Sequence, residues 1–546
     1  MAAASASEEE SRNNTGCRVI AQGYRVVDEQ RHAVDYRPSV WGDYFIKNPA
    51  LPHTHQQTVM ANGLFYDNEH IDLARSKYLS LWLSSSSLPT EVTGVDGKET
   101  RCANQRSNEE ADGRARRAMT EMKLIDALQR LGISYHFQDE IHASLQKLNS
   151  MVFNKENVHE ISLQFWLLRQ QRYNVSNKYG LIKNKSIIFP DVFQSFMDNQ
   201  GNLNASLHGD VRTLLVLYEA AHLGTPSEQV LIEAQRQTTI LLKSMVNHLE
   251  KPLADQVRHA LQTPSFRRMK RLEARLYIPL YEQDKQECDE LVLELAKLDF
   301  YLLQRIHRGE VKEICEQVNH GEVIKKSITW YHSLEAPRKL YYARHRPTEA
   351  YFWSLGVYYE PQYAKARMLL AKFIATITPY DDTFDNYGIW EELLPFSDVR
   401  QRWDMKKVGK LKECYNDFAC FMFGTMIEIE KALPNDTARR NVDAIRDIDA
   451  TEEILKWILK FPQIVKDSCI VSRLMDDIVA HEFETERNNV ATAVTCYMKE
   501  YKTTKEDASE SKVNVPWKLG SWFNLTKPHD NLHIGPLGYM LPTYQL

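Results

Sequence analysis

Two aspartates one helical turn apart, Asp381 and Asp385, close the stretch Ile374-Ala-Thr-Ile-Thr-Pro-Tyr-Asp-Asp-Thr-Phe-Asp385. Upstream, Ala366, Leu370, Phe373 and Ile377 recur at helical spacing, and the same stripe continued by fours reaches Asp381 and then Asp385. An apolar face that turns into carboxylates predicts acids aimed at a core, where ionised groups need a partner or a cation. Two carboxylates on one face suit a hard divalent ion such as Mg²⁺, which leaves sites for water or phosphate oxygens. Taken alone, the pattern fits a helix end with solvated acids equally well. Pro379 lacks a backbone N–H and predicts a kink where the site begins.

A second acidic stretch lies near the other end of the chain, at Ile470-Val-Ser-Arg-Leu-Met-Asp-Asp-Ile-Val-Ala-His-Glu-Phe-Glu484. Asp476 and Glu484 share one helical face two turns apart, with Arg473 three residues before the first. A charged surface face is the plainer reading, but the lead-in of Ile464, Val465, Cys469 and Leu474 predicts a largely buried helix. Two buried helices offering carboxylates to each other can hold divalent ions between them. A third element, Tyr342-Ala-Arg-His-Arg346, supplies Arg344 and Arg346, whose planar forks match phosphate oxygens when they are not merely a solvated face. Trp353 follows; its ring can be core, or can stabilise a carbocation through cation–π attraction.

The elements that must position these residues are helical. Met122, Leu124, Ile125, Leu128 and Leu131 form one amphipathic face, and Val211, Leu214, Leu215, Tyr218 and Ala221 another. Strand-like alternation is scarce, so the fold class is all-α. Residues 1–35 read as a disordered arm, and the polar joint Tyr281 to Glu287 predicts a boundary between helical domains at 36–285 and 286–546. Residues 53–117 lack periodicity and read as an inserted loop. Of 546 residues 43% are hydrophobic, enough for two large cores, and the net charge of −5 argues against nucleic acid as the default partner. No apolar run is long enough to span a bilayer. Eight scattered cysteines without CxxC spacing read as reduced thiols, and no targeting segment is evident, so a cytoplasmic protein is expected. Nothing in the sequence requires more than a monomer.

Together these residues resemble the plant terpene synthases, specifically the cytosolic sesquiterpene type. Asp381-Asp-Thr-Phe-Asp385 looks like that family's DDxxD, and Asp476 to Glu484 is similar to its (N/D)Dxx(S/T)xxxE. Arg344-His-Arg346 resembles its RxR element, 37 residues (381 − 344) before Asp381, and Arg31-His32 with Trp41 resembles its R(R)x8W. Tyr351-Phe-Trp353, Glu360-Pro-Gln-Tyr363 and Leu298-Asp-Phe300 also match family text. The resemblance implies an α-barrel-like N-terminal domain without its own active site and a C-terminal class I α-bundle. It further implies Mg²⁺-dependent ionisation of farnesyl diphosphate through a three-ion cluster, with Mn²⁺ as an alternative ion, followed by cyclisation. Under it, Asp381, Asp385, Asp476 and Glu484 hold metal, and Arg344, Arg346 and Arg473 bind diphosphate. Trp353 lines the pocket.

The chain also departs from the pattern. Position 480 is Ala where the family places a hydroxyl ligand. Only 91 residues (476 − 385) separate the two motifs, which suggests a segment missing near Asp443 to Thr451. Residues 316–327 read as inserted, and 508–546 carry no helical stripe. A catalytically impaired relative, or a helical scaffold with surface acids, are the alternatives these departures raise.

Overall fold

A computed structural model describes residues 36–48, 75–76, 100–173, 192–315, 339–432 and 493–504, with short gaps. The arm at 1–35, the second acidic motif with Arg473, Asp476, Ala480 and Glu484, and the stretches 316–327, 443–451 and 508–546 lie outside them. Among the described residues the structure is helical, and the sole extended pairing is an isolated bridge between Met197 and Leu203. The chain divides into two compact units, one of Met1–Pro52 with Arg305–Lys460 and one of His53–Gln304 with Phe461–Leu546.

In the second of these, helix α1 (Thr100–Arg130) packs against α2 (Gln138–Leu148), α3 (Val158–Gln170) and α7 (Lys270–Gln283). Helix α1 begins inside the stretch expected to be an unstructured insertion. Its first turns are polar but rich in Ala, Arg, Gln and Glu, which favour helix without any apolar stripe. Periodicity reports burial, so it was silent there. From Ala118 onward, Met122, Ile125, Leu128 and Leu131 of the expected face are fully buried, while Leu124 is partly exposed. Helix α4 (Val211–Ala221) packs between α3 and α5 (Gln229–Met245), with α6 (Leu253–Gln262) beside it. Asp210 caps α4 by accepting the Thr213 N–H at 3.1 Å.

This unit also buries charge. Glu273 accepts from Arg130 at 2.9 Å and from Arg268, which reaches on to Glu219 at 3.6 Å. Burial alone would raise the Glu273 carboxyl, but Arg268 and Arg130 outweigh it and hold it below the usual glutamate value. The Arg130 guanidinium lies 3.7 Å above the Tyr277 ring. Nearby Asp299, fully buried, takes the Tyr135 hydroxyl, His136 Nε2 at 2.9 Å and Arg271 at 3.5 Å. Gly132 turns the chain after α1 with φ +75°, and a Cβ there would meet Arg271 Nη1 at 3.0 Å.

Helix α7 ends at Gln283 and α8 (Glu290–Cys315) follows, so the expected boundary at 285/286 falls in this break, while the compact units divide between Gln304 and Arg305 within α8. The other unit contains α9 (Pro347–Val357), α10 (Ala364–Asp382), α11 (Trp390–Gln401) and α12 (Glu413–Ala432). Its core gathers Ala375, Leu393, Phe396, Tyr415, Phe418 and Phe421. The segment 36–48 belongs here. Trp41 stacks on Phe45 at 5.5 Å, Arg308 lies over Phe45 at 5.6 Å, and Ser39 Oγ donates to Glu349 at 2.7 Å. Helix α9 packs along α10, and buried Arg367 of α10 joins Glu310 at 2.7 Å, with Tyr351 donating to the same carboxylate.

Candidate active site

Helix α10 positions the first acidic motif, but in a register one residue from the expected one. The stripe of Ala366, Leu370, Phe373 and Ile377 is not the core face. Phe373 and Ile377 are 44% and 46% exposed, whereas Arg367, Ala371, Ala375, Pro379 and Asp382 are buried. Asp381 therefore continues an open apolar face and stays 48% exposed, while its neighbour Asp382 is the carboxylate that points into the core. The expectation that Asp381 aims at the core is corrected accordingly: steps of three to four residues fit two neighbouring stripes of this helix about equally well, and packing against α9 and α12 selects the one through Ala371 and Ala375.

Pro379 does not end α10. The helix runs through it to Asp382 and then widens into a single π-helical turn, Thr383–Tyr387, which includes Asp385. The Asp385 side chain lies outside the described set. Thr383 Oγ1 donates to the Pro379 carbonyl at 2.6 Å and meets the Tyr342 hydroxyl at 3.0 Å. Tyr342 stacks flat on Tyr387 at 3.7 Å. The π turn closes at Gly388, where a Cβ would meet the Thr383 carbonyl and Leu393 at 2.6 Å, so the close approach requires glycine.

The RxR element sits against this corner. Arg344 donates its backbone N–H to Asp382 at 2.6 Å and its Nε to the same carboxylate at 2.9 Å. Its Nη2 bridges Asp382 Oδ1 at 2.9 Å and Asp381 Oδ2 at 3.0 Å, and the guanidinium lies 5.2 Å above the Tyr36 ring. Burial works against the Arg344 charge, but its hydrogen bonds to Asp382 more than offset it and raise its pKa. Arg346 donates to the His345 carbonyl at 3.2 Å and lies 3.8 Å from Glu349. Of the expected site residues with described side chains, the structure thus brings Arg344 and Asp381 into direct contact. Trp353, on α9, is 52% exposed. Asp382 and Tyr36 went unrecognised in the sequence. The only signal for Asp382 was its place between two more conspicuous aspartates.

Chemically, this corner offers a half-open carboxylate at the end of an apolar face, already matched to a cation. That donor suits a hard divalent ion. Among the described residues no group of three or more His, Cys, Asp or Glu gathers to hold one, and the other acids expected to do so lie outside them.

Comparison with known proteins gives a consistent picture. The terpene synthase N-terminal domain matches residues 98–261, and the terpene synthase metal-binding domain matches residues 332–448 and 444–514. The second match is split where the sequence suggests a missing segment. The first match includes 98–117, part of the stretch whose lack of periodicity reads as an inserted loop. Alpha-humulene synthase of Zingiber zerumbet is 33% identical over 89% of this chain and 86% of its own length. (E)-beta-farnesene synthase of Artemisia annua is 33% identical over 90% and 85%. A crystal structure of limonene synthase with 2-fluorolinalyl diphosphate superposes with a TM-score of 0.64 at 25% identity, covering 94% of each chain.

Proposed function

The chain belongs to the terpene synthase family, and we propose that it ionises farnesyl diphosphate with divalent ions, Mg²⁺ foremost and Mn²⁺ as a substitute, and cyclises the allylic cation. The observation that carries this reading is the corner of α10, where an exposed apolar face ends at Asp381 and Arg344. Asp381, Asp385, Asp476 and Glu484 would hold the ions, whose charge offsets that of the departing diphosphate.

The protein's own residues do the rest. Arg344, with Arg346 and Arg473, binds diphosphate oxygens through planar forks and keeps the leaving group from recombining. Phe373, Ile377 and Trp353 offer apolar surface to the isoprenoid chain, and the Trp353 ring face stabilises positive charge as it migrates. Excluding water from that surface protects the cation from capture. The fifteen-carbon substrate is favoured by relatives named for humulene and farnesene. Among the described residues, no helix is long and apolar enough to cross a membrane.

The test is product analysis by gas chromatography after incubating purified protein with farnesyl diphosphate and Mg²⁺, beside an Asp381→Ala control. A sesquiterpene from the wild type and none from the control supports the reading. No product from wild-type protein that circular dichroism finds folded assigns the chain to a catalytically impaired member of the family, the outcome that Ala480 and the short segment between the motifs would explain.

A further inference from the structure

Arg344 neutralises the carboxylate that is proposed to take metal. Among the described residues it is the ionic partner of Asp381, at 3.0 Å, yet its stronger attachment is elsewhere. Asp382, fully buried, accepts the Arg344 backbone N–H at 2.6 Å and Nε at 2.9 Å, and its Oδ1 lies 2.9 Å from Nη2 as an ion pair. One end of the guanidinium is therefore fixed to a carboxylate that has no access to solvent. Its Nη2 is shared between that carboxylate and Asp381, which is half open. A divalent ion arriving from solvent can compete for Asp381 but not for Asp382.

We propose that Arg344 is a built-in counter-ion that Asp381 exchanges for metal: Asp382 keeps the guanidinium in place while Nη2 leaves Asp381 and turns to a diphosphate oxygen. This rests on the reading of Asp381 as a metal ligand. Asp382 acts as a positioning residue, because it touches neither metal nor diphosphate and works through Arg344. Without metal, the corner presents a satisfied ion pair to an incoming anion. With metal, the same corner gains the ion's charge and releases an arginine donor. Metal and diphosphate thus strengthen each other's binding through Arg344, and by linkage the effect is reciprocal.

The experiment is calorimetric titration of the full chain with inorganic diphosphate, in EDTA and in Mg²⁺, for wild type, Asp381→Asn, Arg344→Lys and the double variant. In EDTA, Asp381→Asn is expected to bind diphosphate roughly fivefold or more tighter than wild type, because it releases Nη2 without metal. That gain disappears in the Arg344→Lys background, which keeps the positive charge but lacks the fork that spans Asp382 and a phosphate oxygen. A gain that persists equally there is a plain charge effect and overturns the proposal, as does no gain at all.

Asp382→Asn gives an independent readout. The ratio of diphosphate Kd without and with Mg²⁺ falls by about threefold or more when Arg344 loses its inner anchor, and an unchanged ratio overturns the positioning role. Circular dichroism checks that each variant is folded. If the wild type fails to bind diphosphate even with Mg²⁺, the metal reading itself fails and the exchange with it. If it binds and the Asp381→Asn gain is absent, only the exchange fails.

Discussion

Glu273 and Asp382 are both carboxylates removed from water and paired with arginine, one in each compact unit. Around Glu273 the charges are largely enclosed: Arg268 and Glu273 are almost fully buried, and Arg130, one-fifth exposed, lies against the Tyr277 ring. Around Asp382 the network is closed at one end only. Arg344 is about one-third exposed, Asp381 about half, and the α10 face leading to them leaves Phe373 and Ile377 uncovered. Enclosed charge serves the fold, since nothing from solvent can compete for it and its loss strands a buried partner. Half-open charge costs little to disturb and is free to change partners. The contrast separates two uses of one chemical pair.

That contrast can be broken most sharply at Glu273. Glu273→Ala removes the carboxylate shared by Arg130 and Arg268 and is expected to cost about 3–5 kcal/mol, read from urea unfolding. A change below about 1 kcal/mol would show that the cluster is solvated after all. The pH dependence sharpens the same point. Arg268 and Arg130 hold the folded Glu273 pKa below its ordinary 4.5. A depressed carboxylate contributes stability that is full above the unfolded value and is lost as pH falls through the folded one. The stability gap between wild type and Glu273→Gln should therefore be complete at pH 6 and shrink below about pH 4.5.

At the open end the expected pattern inverts. Asp381→Ala should lower product formation roughly 100-fold or more, since metal-held charge supplies several kcal/mol, while the urea midpoint moves by less than about 1 kcal/mol because the pair is half exposed. Large unfolding would place Asp381 with Glu273. The smallest expected effect lies on the apolar face. Ile377→Ala should change stability by less than about 0.5 kcal/mol, yet shift the ratio of products in gas chromatography. An unchanged ratio would remove Ile377 from the substrate surface.

Much of this was legible in the sequence, for reasons that differ by residue. The buried stripe of α1 and that of α4 could be read because apolar residues recur with helical period and nothing else competes. Arg344 and Asp381 could be read as partners in one chemistry because RxR and DDxxD are local patterns of functional groups. The start of α1 could not, since Thr100 to Arg117 is helical by propensity and carries no stripe. The exposure of Phe373 and Ile377 also went unread, because an apolar stripe looks the same whether it meets a core or stays open.

Helicity, acidic and basic motifs in terpene synthase order, and the place of Asp381 at the end of an apolar stripe are all written in the sequence. Helical period and residue type suffice for those, because they are properties of contiguous stretches. Burial of Asp382 rather than Asp381 depends instead on packing between helices. Turning α10 by one residue, about 100°, exchanges the fates of Asp381 and Asp382. What fixes that rotation is the packing of Ala371 and Ala375 against neighbouring helices and the clamp of Arg344, all contacts between residues distant in sequence.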